Sequence, residues 1–203
     1  MVSWKVQHAK LCGNGMSGLP TLPPVDVQNR LRRLAWGIAR RLFYRPTPIA
    51  WHGWRAGILR AFGAKIEGRV HPYPDVAVWA PWNLRMAPGS CLGPGVICYN
   101  VALVSLGHGV TVSQRSHLCT ASHDFDDPCF PLTGAPITIE DGAWVAAEAF
   151  LGPGVTIGAR AVVLARSVVI SSVPPAAVVG GNPARHLRDR APHEEKVLHD
   201  LAH

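Results

Sequence analysis

The chain is short of acidic residues, of tyrosine and of long apolar runs. Asp and Glu number 13 against 20 Lys and Arg, so the net charge is +7 with histidine neutral. No run of about 18 uncharged apolar residues occurs, which argues against a membrane-spanning helix. The N-terminus lacks an apolar core followed by a cleavage site, so no signal peptide is expected. Five cysteines (Cys12, Cys91, Cys98, Cys119 and Cys129) form no zinc spacing and are odd in number. They read as reduced thiols of a cytosolic protein. No Gly-x-Ser-x-Gly segment is present, which leaves a covalent acyl-enzyme little support. A P-loop is missing too, and no metal site is expected. Without a helix-turn-helix, zinc finger or stacking module, nucleic acid is not an expected partner.

Glycine and proline, by contrast, are plentiful, at 20 and 18 of 203 residues. That suits a turn-rich β architecture, and the length suits one domain with an appendage. From Ile139 to Val169 the apolar residues Ile139, Val145, Leu151, Ile157, Val163 and Val169 recur every sixth position. Four residues after each stands Ala143, Ala149, Val155, Ala161, Ser167 or Val173. Helices repeat at 3.6 and half-buried strands at 2, so a period of six points to a repeat fold. It suits a parallel β-helix with triangular coils, one flat side per repeat and one apolar residue pointing inward. The same period runs through Met86, Leu92, Cys98 and Val104, slips by two, and continues through Leu106, Val112 and Leu118.

Residues 119–136 break the repeat with a segment rich in Asp and Pro, as an extruded loop would. Ser122-His123-Asp124 within it supplies the best general-base candidate. An imidazole near its ordinary pKa takes a proton from a hydroxyl at neutral pH and returns it to a leaving thiolate. Asp124, Asp126 or a backbone carbonyl would orient it. His117 is the nearest rival, while His52, His71 and His108 read as ordinary surface residues. A prism with polar outer faces packs naturally as a cyclic trimer, with sites in grooves between solenoids.

Upstream, residues 27–44 read as an amphipathic helix with Leu31, Leu34, Ile38 and Leu42 on one face and arginines between them. A second helix, near Ala50–Phe62, ends at Gly63. Both are expected to cap the open end of the solenoid. Between residues 26 and 69 many arginines face only Asp26 and Glu67. Contact of residues 27–45 with an anionic membrane surface is therefore a second expected role. The tail Gly180–Arg185 is expected to lead into a short charged segment that is helical in part.

Three segments, TASHDFDDP (120–128), GAPITIEDGAWVAAEAFLGPGVTIGARAVVLARSVV (134–169) and VVGGNPAR (178–185), resemble those of the hexapeptide-repeat O-acetyltransferases. Further matches are FYRPTP (43–48), HGWR (52–55), LRAFGAKI (59–66), WAPWNLRM (79–86) and CYNVALVSLG (98–107). With them the chain is similar to the subgroup assigned to colanic acid biosynthesis, over roughly residues 27–190.

This resemblance implies an all-β solenoid, a left-handed parallel β-helix, with an N-terminal helical cap and an extruded loop. It implies a homotrimer with active sites between subunits and acetyl-CoA as donor. His123, in Thr120-Ala-Ser-His123, takes the catalytic position. Asn100 and Asp124 fall at the acceptor side. Trp144, Ala147, Ala165, Arg185 and Arg188 fall where the family holds the donor: the indole along the pantetheine arm, the alanines beside it, the arginines near the phosphates. Ile170-Ser171 stand where a basic residue is frequent, so one phosphate contact is missing. Asp124-Phe125-Asp126 stand where the simple sugar acetyltransferases have Pro-Leu-Asp, so the acceptor pocket is expected to differ from theirs.

The expected division is a flexible lead-in (1–26), a helical segment (27–65), the β-helix (66–185) and a tail (186–203). The expected activity is acetyl transfer to a sugar hydroxyl in exopolysaccharide assembly. The acceptor would be a sugar, a nucleotide sugar or a lipid-linked glycan. The place would be the cytoplasm, peripherally at the inner face of the membrane. A serine or antibiotic acetyltransferase and a non-catalytic trimeric scaffold are the alternatives.

Overall fold

A computed structural model describes residues 18–23 and 26–191. The six-residue period becomes the side of a three-faced parallel solenoid. Its first coil holds β1 (Lys65–Ile66), β2 (His71–Pro72) and β3 (Ala77–Val78). The second holds β4 (Leu84–Met86), β5 (Cys91–Leu92) and β6 (Ile97–Tyr99), and the third β7 (Val104–Leu106), β8 (Thr111–Val112) and β9 (His117–Cys119). A hairpin of β10 (Ala121–His123) and β11 (Leu132–Gly134) then leaves the prism. The fourth coil is β12 (Ile137–Ile139), β13 (Trp144–Val145) and β14 (Phe150–Leu151), and the fifth β15 (Thr156–Ile157), β16 (Val162–Val163) and β17 (Val168–Val169). A partial sixth turn ends in β18 (Ala177–Gly181), which folds back antiparallel into β19 (Ala184–Asp189).

Strands stack in parallel into three sheets: β1-β4-β7-β12-β15 on face one, β2-β5-β8-β13-β16-β18-β19 on face two, and β3-β6-β9-β14-β17 on face three. The residues of the period, Ile139 through Val169, point inward and are at most 2% exposed. Ala143, Ala149, Val155, Ala161 and Ser167 fill the corners beneath them and are equally buried. Each corner of the later coils carries one residue in the left-handed region: Gly142, Glu148, Gly154, Arg160 and Arg166, all with φ between 58° and 79°. Three of the five are not glycine, so glycine alone does not mark the corners. Gly158 is needed for another reason. A Cβ there would lie 2.4 Å from the Pro175 nitrogen of the closing turn.

The two-residue slip has a structural form. Ile66 pairs with Met86 and Met86 with Leu106, a step of 20 residues, whereas Ile139 pairs with Ile157, a step of 18. The surplus sits at one corner, between faces three and one. Ala80–Asn83 fills it in the first coil and Asn100–Leu103 in the second. The hairpin leaves from the same corner in the third. The first coil is more regular than expected: Ile66, Pro72 and Val78 all point inward, and Pro72 hides the period because it is not an aliphatic strand former.

The N-terminal helices are α1 (Val27–Ala39), continued by a π-helical turn (Arg40–Tyr44), and α2 (His52–Ala61). Asp26 caps α1 by accepting from the Asn29 amide at 2.7 Å. Gly63, at φ +94°, closes α2 with paired bonds from Gly63 N to Arg60 O and from Ala64 N to Leu59 O. Trp36, Tyr44, Ala56 and Leu59 are buried against the first coil. Arg55 is wholly buried beside them and donates to the carbonyls of Pro72, Pro48 and Ile49 and to the Thr47 hydroxyl. The cap expected of these helices therefore exists, and Trp36, Tyr44, Ala56 and Leu59 make it. Leu31, Leu34, Ile38 and Leu42 face outward, each more than half exposed.

Two further expectations are corrected. Residues 184–189 form a strand rather than a helix, because they complete face two beside β18. Pro20–Leu22, expected in the flexible lead-in, run antiparallel to β11: Leu22 N donates to Leu132 O at 2.8 Å and Gly134 N to Pro20 O at 3.1 Å. The rest of the lead-in up to residue 17, and the tail beyond residue 191, lie outside the described residues. Cys91, Cys98 and Cys119 are free thiols, as expected, but Cys129 is disulfide-bonded. Burial pushes the Cys98 thiol up to about 12, so it packs as an inert apolar group. No helix among the described residues is long and apolar enough to cross a membrane.

Leu151 is fully buried between Leu118 and Val169 of neighbouring coils. Leu151→Ala is expected to cost about 2–5 kcal/mol of unfolding free energy, read from the denaturant midpoint.

Candidate active site

The hairpin carries His123 at the end of β10, exposed and paired across the hairpin with Leu132. Its Nδ1 lies 2.9 Å from the Phe130 carbonyl oxygen. A carbonyl can only accept, so Nδ1 carries the proton and Nε2 keeps its lone pair facing outward. The Phe130 ring stacks on the imidazole at 4.3 Å between centroids and 7° between planes. Of the three orienting groups that the sequence leaves open for His123, the structure has the backbone carbonyl. Asp124 turns away. It is buried, its Oδ1 accepts from the Asp126 amide at 3.2 Å, and its Oδ2 has no partner among the described residues.

Phe130 was not singled out by sequence reasoning. It sits at φ +47°, a strained conformation for an aromatic residue, and this aims its carbonyl at the ring. The turn before it holds it there. Phe130 N donates to Asp127 O and Cys129 N to Asp127 Oδ1, both at 2.8 Å. Asp127 followed by Pro128 is the composition of such a turn, so the signal was present in the sequence.

Asn100, expected at the acceptor side, is held by backbone. It is fully buried at the corner below the hairpin. Its Oδ1 accepts from Ala80 N at 2.9 Å, and its Nδ2 donates to Ala80 O at 2.7 Å and Asn83 O at 3.0 Å. Thr120, one coil on, donates to Tyr99 O and accepts from Ala102 N, both at 3.0 Å. Every polar atom of the Asn100 side chain has a backbone partner, and these bonds fix the corner from which the hairpin rises.

The residues expected at the donor lie together, but elsewhere on the prism. Trp144 stands on face two, nearly half exposed, and its indole N–H donates to Ser113 Oγ at 2.9 Å. Ala147 and Ala165 lie one above the other at the corner between faces two and three, where Arg166 N donates to Ala147 O. Among the described residues the amides of Ala147 and Ala165 donate to no protein group. Arg185 and Arg188 are on β19. Three residues apart on a regular strand they would face opposite ways. A bulge between Val178 and Val179 leaves Leu187 unpaired, so Arg185 pairs with Gly180 and Arg188 with Val178, on one side.

Trp144 and the two arginines thus belong to face two, with the unbonded amides of Ala147 and Ala165 at its edge, and this is the strip where the resemblance expects the donor. His123 rises from the opposite corner of the same prism. One protomer therefore does not bring the two halves together. Nearby, Glu148 joins Arg115 and Arg166 across three coils at 2.7 Å each, and these guanidinium groups hold its carboxyl below the usual range. His117 packs edge-on against Phe150, and burial lowers its pKa, which keeps it neutral. No group of three metal-ligating side chains occurs among the described residues.

Known proteins of this shape bear on the chemistry. No family model matches the chain. The WcaF protein of Escherichia coli K12, whose name assigns it to colanic acid biosynthesis as an acetyltransferase, is 37% identical over 162 residues, 80% of this chain and 89% of that one. A maltose O-acetyltransferase from Clostridium difficile 630 superposes with a TM-score of 0.75 at 23% identity, over 86% of this chain and 94% of its own. A hexapeptide-repeat acetyltransferase of Vibrio cholerae O1 biovar eltor, solved with acetyl-coenzyme A, superposes at 0.69 with 26% identity over 85% and 94%.

Asn100→Ala is expected to cost about 1–3 kcal/mol, because three buried backbone groups lose their partner. Thermal or denaturant unfolding reads it. An unchanged stability would show that these bonds do not hold the corner.

Proposed function

The chain belongs to the hexapeptide-repeat acetyltransferases, beside WcaF, and is an acetyl-CoA-dependent acyltransferase; from that premise we propose that it acetylates a sugar hydroxyl in exopolysaccharide assembly, with His123 as general base. The observation that carries this reading is the pairing of His123 Nδ1 with the Phe130 carbonyl. It leaves Nε2 free to accept the hydroxyl proton as the oxygen adds to the thioester carbonyl. The imidazolium so formed keeps its Nδ1–H on the same carbonyl and gives the other proton to the departing thiolate. Backbone N–H groups would carry the charge that develops on the carbonyl oxygen.

The sugar acceptor is supported by the WcaF name and by the maltose acetyltransferase of the same fold. The position of His123 opposite the strip of Trp144, Ala147, Ala165, Arg185 and Arg188 supports a homotrimer. In it the hairpin of one subunit would lean over the donor strip of the next. Asp124, buried in the hairpin, would shape the acceptor side rather than touch His123.

His123→Ala is expected to lower kcat about 100- to 10,000-fold while leaving acetyl-CoA affinity, measured by calorimetry, within about threefold. Wild-type protein that binds acetyl-CoA yet acetylates no member of a panel of sugars, nucleotide sugars and lipid-linked glycans would remove the sugar acceptor. Trp144→Ala is expected to weaken acetyl-CoA about tenfold, with kcat at saturation nearly kept. The reverse pattern would take Trp144 off the donor.

A further inference from the structure

We propose that the outer face of α1 and its π-helical turn seats the protein on an anionic lipid bilayer. The helix is amphipathic in the inverted sense. Val27, Leu31, Leu34, Ile38 and Leu42 follow helical spacing on one face and point to solvent, with Leu34 63% and Ile38 53% exposed. Three of the arginines between them, Arg32, Arg33 and Arg40, point to the solenoid instead. Arg33 lies over the Trp79 ring at 3.6 Å, Arg32 over the Trp82 ring at 4.2 Å, and Arg40 Nε donates to Val76 O at 3.3 Å. A helix whose purpose was only to cap would turn the other way, with leucines inward and guanidinium groups in water. Trp36 alone of α1 is buried.

The apolar surface continues beyond the helix. Phe43, Ile49, Trp51 and Trp54 are also more than half exposed. The Trp54 indole donates to Phe43 O at 2.9 Å, which ties the two helices together at that point. A contiguous apolar face of this kind marks an interaction site.

Charge selects the occupant. Between Asp26 and Glu67 there is no acidic residue. The side chains of Arg30, Arg41 and Arg45 make no hydrogen bond or ion pair among the described residues, and Arg30 and Arg41 flank the stripe by helical spacing. Leucines and isoleucine inside, arginines at the flank and tryptophans at the margin are the composition of a helix lying in a bilayer interface. Two copies of this face would bring arginine to arginine with no carboxylate between them, so self-association is disfavoured. The arginines of α1 and the packing of its other face on the first coil keep the segment along the surface rather than through it.

The test is co-sedimentation of the full-length protein with vesicles of phosphatidylglycerol and phosphatidylcholine. Wild-type protein is expected to sediment with them, and Leu34→Asp with Ile38→Asp to lower the partition coefficient more than about tenfold. Both positions are exposed, so the variant should keep its acetyl-CoA affinity and its mass by light scattering. As a second measurement, brominated lipids should quench wild-type tryptophan fluorescence, and Trp51→Phe with Trp54→Phe should remove most of that quenching. Wild-type protein that stays in the supernatant would overturn the proposal. So would a double variant that still sediments, or one whose mass falls, which would make the face a contact between copies. Acetyl transfer plays no part in these readouts, so the outcome does not depend on the acceptor.

Discussion

The structure rests on strands too short to be stable singly, each held by the one stacked a coil away. Two- and three-residue strands make few bonds of their own. In register, Val112 over Leu92 or Leu151 over Leu118, they form continuous ladders of backbone bonds and inward apolar columns. Every coil must therefore return to the same three points. A coil may carry extra residues only where they can leave the prism without disturbing the columns. The corner between faces three and one is that place. Asn100 and Thr120 satisfy its backbone groups, and the hairpin grows out of it.

The candidate base inherits its precision from this arrangement. β10 and β11 are paired with each other, and Pro20–Leu22 adds a third strand beside β11. The left-handed Phe130 is an unfavourable backbone state, of order 1–3 kcal/mol, and persists because the Asp127 turn and the hairpin overdetermine it. What is gained is one defined tautomer.

Much of this was legible before any coordinates. The period from Ile139 to Val169 dictates the solenoid, because nothing else repeats at six, and the Asp- and Pro-rich break at 119–136 locates the hairpin. Other features were hidden for identifiable reasons. Pro72 occupies an inward position and masks the first coil. The β19 strand has helical-looking charge, and only the bulge at Leu187, invisible in sequence, sets both arginines on one side. The burial of Asn100 and its three backbone bonds are not visible in a sequence, where an asparagine looks exposed. Helical spacing showed that α1 has an apolar face but not which way it turns; Trp79 and Trp82 of the first coil decided that by drawing arginines inward.

A stack of identical flat coils has no natural length, and its last coil offers the next molecule an unpaired edge to copy, which is how fibrils grow. The last described strand of the solenoid opposes such growth. On face two, β19 runs antiparallel and its exposed Arg185, Arg188 and Asp189 make a charged border. At the adjoining corner Pro174 and Pro175 present no N–H groups to extend a ladder. The same strand that would hold the phosphates of a donor thus also keeps one molecule from templating another, so loss of β19 would be felt first as insolubility.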